Sequence, residues 1–434
     1  MLPVNSTATS GLQVGDVLEL TIGEVVHGGW CVSRQDDTGR VVFVRHALPG
    51  ERVRAVVTQA TTRFARAEAI DIQHGSPDRV TPPCRYAGPG GCGGCDWQHA
   101  SLEAQRRLKA AVIRQQLSRI AGLDTQVAVM PMPGDSSGLG WRTVVSFAID
   151  RDGTAGLRRH RSHEIVGIDQ CLIAHSEVTA AGITANKWPG ARSVQIAIDP
   201  DTGEQAVLVA GPAVRRASLP DVAADSVQIL TEQGRLGPVR GRGFLTRHAA
   251  GRDWRVSAGG FWQVHQAAAD ALGRAVLAAL NPQPGEVALD LYCGAGLFAG
   301  LLAEAVGPDG AVLAVEQDRD AVRMARHNLR RWEWARVHRG DAADVLARTG
   351  LSNASIAVLD PPRTGASRRV IDVLGDPSAR LRRLAYLSCD PATLARDLRL
   401  LLDSGWELTD LQGYDAFPMT HHVECLAVLD RRPR

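Results

Sequence analysis

Residues 287–306 read VALDLYCGAGLFAGLLAEAV, an apolar run of strand length, a turn with two close glycines at Gly294 and Gly296, then a helix-length apolar run. The same rhythm continues to the end of the chain: AVLAVE and DAVRMARHNL, ARVHRG, SIAVLD, RLAYLSC and ATLARDLRLLL. Strands alternating with helices predict a mostly parallel sheet covered on both faces. WELTDLQGY and VECLAVLD follow each other without a helix between them, which predicts a closing antiparallel pair. Upstream, Gly15 to Ile72 is a series of short alternating segments broken at Gly28-Gly29 and Pro49-Gly50, the pattern of a small OB-like β-barrel. Residues 73–96, QHGSPDRVTPPCRYAGPGGCGGCD, cannot form a regular element. Ser101 to Ala121 reads as a helix with Ile113, Leu117 and Ile120 on one face, and strand-like pieces from Val127 to Val256 suggest an α+β middle region. The expected architecture is multidomain: a barrel over 11–72, a central α+β domain over 73–260 whose helix 97–122 can pack on the next domain, and a Rossmann-like α/β domain over 261–434.

With 434 residues, 44% hydrophobic and 22% charged, the chain is neither disordered nor fibrous. No run approaches the roughly eighteen apolar residues of a membrane helix. The start, MLPVNSTATSGLQVGD, shows no basic leader, so the expected location is cytoplasmic and no membrane is expected as a partner. A net charge of +2 makes any nucleic-acid surface local. The barrel is a structural module or an RNA clamp supplied with Arg40, Arg45, Arg52, Arg54, Arg63 and Arg66.

Five constellations carry chemistry. Asp290-Leu-Tyr-Cys-Gly294-Ala-Gly296 opens a helix where a ligand can approach backbone, but it lacks the dinucleotide spacing. With Glu316 ending the next strand and Asp341 following the third, the set suits S-adenosylmethionine better than NAD; singly, each carboxylate is as suited to capping a helix. Leu359-Asp360-Pro-Pro-Arg363 fixes a carboxylate at a strand end, facing a flat polar group or simply making a rigid turn. Leu387-Ser-Cys389-Asp-Pro391 puts a thiol before a helix, which predicts a lowered pKa and a nucleophile. His421-His-Val-Glu424 offers a general base or ordinary surface groups. Cys84, Cys92, Cys95 and the remote Cys171 form a four-cysteine set suited to zinc or an iron–sulfur cluster, whereas Cys31, Cys293 and Cys425 read as packing residues.

Together GRVVFVRHALPGERV, CGGCDWQHAS, GLRRHRSHEIVGIDQC, GGFWQVH, DLYCGAG, LDPPRTGA, SCDPATLARDL and HHVECLAVL resemble the RNA 5-methyluridine methyltransferase family, in the branch with an N-terminal TRAM domain and an iron–sulfur cluster, the 23S rRNA uracil-C5 type. The resemblance spans nearly the whole chain. It implies that Cys84, Cys92, Cys95 and Cys171 hold a [4Fe–4S] cluster rather than zinc. It further implies that Gln263, Tyr292, Glu316, Asp341 and Asp360, with the loop of Asp290, Gly294 and Gly296, line the S-adenosylmethionine site. Cys389 becomes the nucleophile and Glu424 the base. Many relatives have Asn where this chain has Leu297. The implied reaction is methyl transfer to carbon 5 of a uridine in rRNA or tRNA, in a loop or single strand, by a monomer. The thiolate adds to carbon 6 to activate carbon 5, and a base then removes the carbon 5 proton. The base must leave its stack, and Phe261 and Trp262 are candidates to fill the space or, equally, to pack in the core. The alternatives are a methyltransferase for another base, RNA cytosine first, and a non-catalytic RNA-binding protein of the same fold.

Overall fold

The structure, a computed structural model, describes residues 12–35, 38–232, 234–350 and 353–432; most of the N-terminal stretch read for a leader, residues 1–11, lies outside them. Among the described residues, three sheets and a hairpin make up the strands.

In the N-terminal six-stranded sheet, Val53, Ala55 and Val57 turn inward while Arg52 and Arg54 face solvent, as a period of two requires. The strands run in the order Val17–Thr21, Arg52–Ala60, Phe64–His74, Val41–Arg45, Trp30–Arg34, Val25–Val26. Gly23 N–H donates to Val32 O and Val32 N–H to Glu24 O, which brings the first strand's end against Trp30–Arg34 and curls the sheet. The core inside this curl is not made by the sheet alone: Trp97, Ala104 and Val112, from beyond the cysteine loop, complete it.

The central seven-stranded sheet packs Val145, Phe147, Val194, Ile196, Val207 and Val209 around Trp188. A separate hairpin, Phe244–Ala249 with Arg252–Ser257, sends Trp254 and Val256 into the core of the C-terminal region. Gly300 exists for this contact, because a Cβ there would stand 2.4 Å from the Trp254 ring.

The C-terminal sheet orders its strands as Ala335–Arg339, Ala311–Glu316, Val287–Leu291, Ile356–Leu359, Arg383–Ser388, Glu424–Arg431 and Trp406–Asp415. The first five are parallel, and Glu424–Arg431 runs antiparallel to both of its neighbours, Arg383–Ser388 and Trp406–Asp415, the α/β class that the alternation predicts. An eighth strand, Val129–Pro131, adds parallel to Trp406–Asp415 and carries the sheet into the region expected to be central. Sequence periodicity missed it, as it missed the short helices Ala342–Thr349 and Arg368–Gly375. Helix Leu102–Gln116 starts on Ser101, whose Oγ accepts the Ala104 N–H, and runs into a π-turn, Leu117–Ala121. Its Ile113 and Leu117 are buried in the C-terminal core. Among the described residues no helix is long and apolar enough to cross a membrane.

Candidate active site

Ligands of such sheets gather at the carboxyl ends of the parallel strands. Here the loop after Val287–Leu291 is forced into an uncommon path, with Tyr292 at φ +69°, Gly294 at +53° and Gly296 at +92°. Glu316 fixes the loop from the neighbouring strand: it accepts the Gly294 N–H at 3.0 Å and those of Gln317 and Asp318 at 2.7 and 2.8 Å. Asp290 lies fully buried beneath, with Oδ2 accepting the Ala299 N–H at 2.7 Å and Oδ1 without a partner. Burial, then the charges of Asp360 and Glu316, push its carboxyl up to about 8. Asp341 caps helix Ala342–Thr349 through the N–H groups of Ala343 and Asp344.

One cavity of about 710 Å³ brings together Gln263, Tyr292, Gly294, Glu316, Asp360, Cys389 and Glu424. Asp290, Gly296 and Asp341 are not on its wall: the first braces the helix of the glycine loop, the second forms its N-terminal cap, and the third caps a different helix. Phe261 lines the cavity and is 68% exposed, whereas Trp262 is buried in the core.

Cys389 and Glu424 meet because strands Arg383–Ser388 and Glu424–Arg431 pair with Ser388 opposite Cys425. Glu424 is buried and its Oε1 has no partner. Burial and the adjacent Asp360 hold its carboxyl well above the usual range, and enclosure raises Asp360 as well. Two carboxyls this close and dry cannot both ionise easily. The lowered pKa expected for Cys389 is not found. Burial, then Glu424, push the thiol up to about 11, with the positive charge of Arg363, and its hydrogen bond, opposing. The thiol stands one residue before the cap, and Asp390 takes the first-turn N–H of Thr393 at 2.9 Å, so the helix terminus is already satisfied by a carboxylate. Arg363 also approaches His422 Nε2 at 3.5 Å. That imidazole is held neutral, lowered to about 3 by burial and by the charges of His421 and Arg363.

Another part of the wall, with the contacts behind it, comes from residues the sequence did not assign to the site. Asp96 follows Cys95, is buried, and lies 2.6 Å from His421 Nδ1 and 3.0 Å from Arg45. The Asp96 and Trp97 N–H groups both donate to Met419 O at 3.0 Å, and Gln105 Oε1 accepts the Met419 N–H at 2.7 Å. Lys109, fully buried, pairs with Asp415 and donates to Phe417 O. Trp141, Arg142 and His160 complete this side. No spacing rule in the sequence joins these positions; only the fold does.

Cys84, Cys92, Cys95 and Cys171 line a second cavity of about 300 Å³. Among the described residues no three His, Cys, Asp or Glu side chains are grouped as one metal ion requires. Burial pushes the Cys92, Cys95 and Cys171 thiols up, and neighbouring thiols of the set push each further, the repulsion a bound cationic centre would relieve. The four thiols thus line one cavity without converging as a single-ion site requires. Cys31, Cys293 and Cys425 are buried away from it.

A parallel sheet with this loop, flanked by a curled N-terminal sheet, has the methyltransferase architecture with a TRAM domain. Comparison with known proteins gives the same class. Residues 11–70 match the TRAM domain model, 264–373 the methyltransferase small domain, and 349–432 the model described as tRNA (uracil-5-)-methyltransferase. A protein of Streptomyces avermitilis named an uncharacterized RNA methyltransferase is 48% identical over 96% of this chain and 99% of its own. A Bifidobacterium longum protein of the same description is 35% identical over 95% and 96%. The solved structure of Pyrococcus abyssi tRNA (uracil-54, C5)-methyltransferase with S-adenosyl-L-homocysteine superposes with a TM-score of 0.69 at 22% identity, covering 95% of this chain and 100% of that one. The chain belongs to the RNA methyltransferase family of these relatives, and its residues 349–432 match the tRNA (uracil-5-)-methyltransferase model.

Proposed function

We propose that the protein methylates carbon 5 of a uridine in RNA through a covalent bond between Cys389 and carbon 6 of the base. The observation that carries this reading is the convergence of Cys389 and Glu424 on the cavity that Tyr292, Gly294 and Glu316 also line. S-adenosylmethionine supplies an electrophilic methyl group on a sulfonium centre. Glu316, Tyr292, Gln263 and the Gly294 backbone are the groups that bind it, with Asp290 and Asp341 bracing the loops around it.

The chain's own residues account for the rest. Cys389 must lose its proton against burial, and Arg363 is the positive group placed to hold the resulting thiolate. Addition of the sulfur to carbon 6 moves electron density to carbon 5 and its neighbouring carbonyl, making carbon 5 able to take a methyl group. Glu424 then removes the carbon 5 proton and the carbon–sulfur bond breaks, returning the thiolate. Burial and Asp360 raise the Glu424 carboxyl, so enclosure opposes its ionisation, and the positive sulfonium of the bound donor would favour the carboxylate. The uracil reaches the cavity only outside a helix, and exposed Phe261 is placed to cover the gap it leaves. We read Cys84, Cys92, Cys95 and Cys171 as the ligands of a [4Fe–4S] cluster that orders the Pro/Gly loop and so holds Gly93, Gly94 and Asp96 on the cavity wall.

Incubation with RNA containing 5-fluorouridine tests the mechanism, because carbon 5 then carries no removable proton. A covalent protein–RNA complex that disappears in Cys389→Ala is expected. An enzyme that labels RNA with methyl groups yet forms no such complex would reject it, and labelled 5-methylcytidine in the digest would move the target to cytosine.

A further inference from the structure

The turn joining strands Val25–Val26 and Trp30–Arg34 belongs to the N-terminal sheet, yet it ends at the rim of the catalytic cavity. His27 Nε2 lies 3.3 Å from Asp390 Oδ2. Asp390 directly follows Cys389, and its remaining bonds are all local: Oδ1 accepts the Thr393 N–H, its N–H donates to Ser388 Oγ, and its carbonyl accepts from the same hydroxyl. Burial works against its charge, but the bonds from His27 and Thr393 hold the carboxyl below the usual range. Two residues on, the turn touches the other catalytic segment. Gly29, at φ +80°, lies so close that a Cβ would stand 2.8 Å from His421 Cβ and 3.3 Å from Asp96 Cβ. Its carbonyl accepts the Trp97 indole N–H at 3.2 Å. His27, Gly29, Cys389, Asp390 and His421 border one small cleft.

We propose that this turn is a positioning element of the reaction. His27 sets the Cys389 loop through Asp390, and the contact of Gly29 sets the segment that runs from His421 to Glu424. Nucleophile and base come from adjacent strands, so a wedge between their loops fixes their separation. The N-terminal sheet thereby acts on the chemical step as well as on RNA. The inference rests on the reading of Cys389 as nucleophile, and the test separates the two.

The full-length protein is compared as wild type, His27→Ala, His27→Gln and, as a clamp control, Arg63→Ala, using 5-fluorouridine RNA for adduct formation and unmodified RNA for steady-state turnover. In His27→Ala the adduct rate and kcat fall about tenfold or more, the scale a misplaced group costs, with KM for RNA within twofold of wild type. His27→Gln, which keeps an amide donor near the place of Nε2, recovers most of the loss. Arg63→Ala raises KM and spares kcat. Wild-type adduct formation with an equal rate in His27→Ala overturns the inference and leaves the Cys389 reading standing. A His27→Ala effect confined to KM, or one that His27→Gln fails to relieve, also overturns it. A wild type that methylates RNA without forming an adduct defeats both.

Discussion

The two halves of the catalytic cavity are built on opposite principles. On the glycine-loop side the carboxylate on the wall is answered: Glu316 accepts three backbone N–H groups, and only Asp290 Oδ1, beneath the loop, has no partner. On the side of Cys389 and Glu424 the acidic groups are not: Glu424 Oε1 has no partner, Asp360 and Glu424 crowd each other, and the thiol is pushed up to about 11. The first half is shaped before any ligand arrives. The second buries acidic groups whose ionisation enclosure opposes, which is the arrangement expected where protons and bonds move.

The sharpest way to break this contrast is to remove the groups of the unsettled half. Cys389→Ala should lower methyl transfer by about a thousandfold or more, read as label in RNA, with S-adenosylmethionine affinity by calorimetry nearly unchanged. Glu424→Gln should slow product formation by about 10²–10⁴-fold while the RNA adduct accumulates on a denaturing gel. A pH series is the next step down. Because the thiol's pKa is raised, the thiolate fraction is small near neutrality and grows with pH, so the adduct rate should climb about tenfold per unit below about 11. Arg363→Met removes the positive partner, moves that climb to higher pH, and slows the reaction at every pH below it. On the settled half the effect is milder: Glu316→Gln should weaken S-adenosylmethionine binding by about tenfold or somewhat more, the worth of a hydrogen bond to a charged group, with kcat at saturation little altered. Smallest in function is Gly300→Ala, which drives a methyl group into the Trp254 ring and should cost about 1–3 kcal/mol of stability by denaturant melt while leaving the chemistry of folded protein intact.

The contrast also explains how far the sequence could be read. The α/β region was legible because its strands and helices are long and punctuated by glycine and proline, as in 287–306. Strand Val129–Pro131 was not, because three residues carry no period and it pairs with a strand almost three hundred residues away. Glu316, Asp360 and Cys389 could be put forward because each sits at a strand end, whereas Glu424 took its expected role from the family resemblance. Asp96, Arg142 and His160 could not, because they reach the cavity from distant loops. The direction of the Cys389 shift was misread for the same reason: sequence shows the helix that follows, whereas Glu424 and the enclosing walls decide the outcome.

Trp97 and Val112 stop the open end of the N-terminal sheet, although they belong to the segment that leads into the catalytic half. A fragment ending near residue 74 would expose its own oily interior to water and clump, and the rest of the chain would keep a bare tryptophan with nothing to rest on. The molecule is thus assembled less like beads on a thread than like a bottle whose cork is made from the neighbouring vessel. Transplanting this β-module onto another enzyme would require carrying the cork along with it.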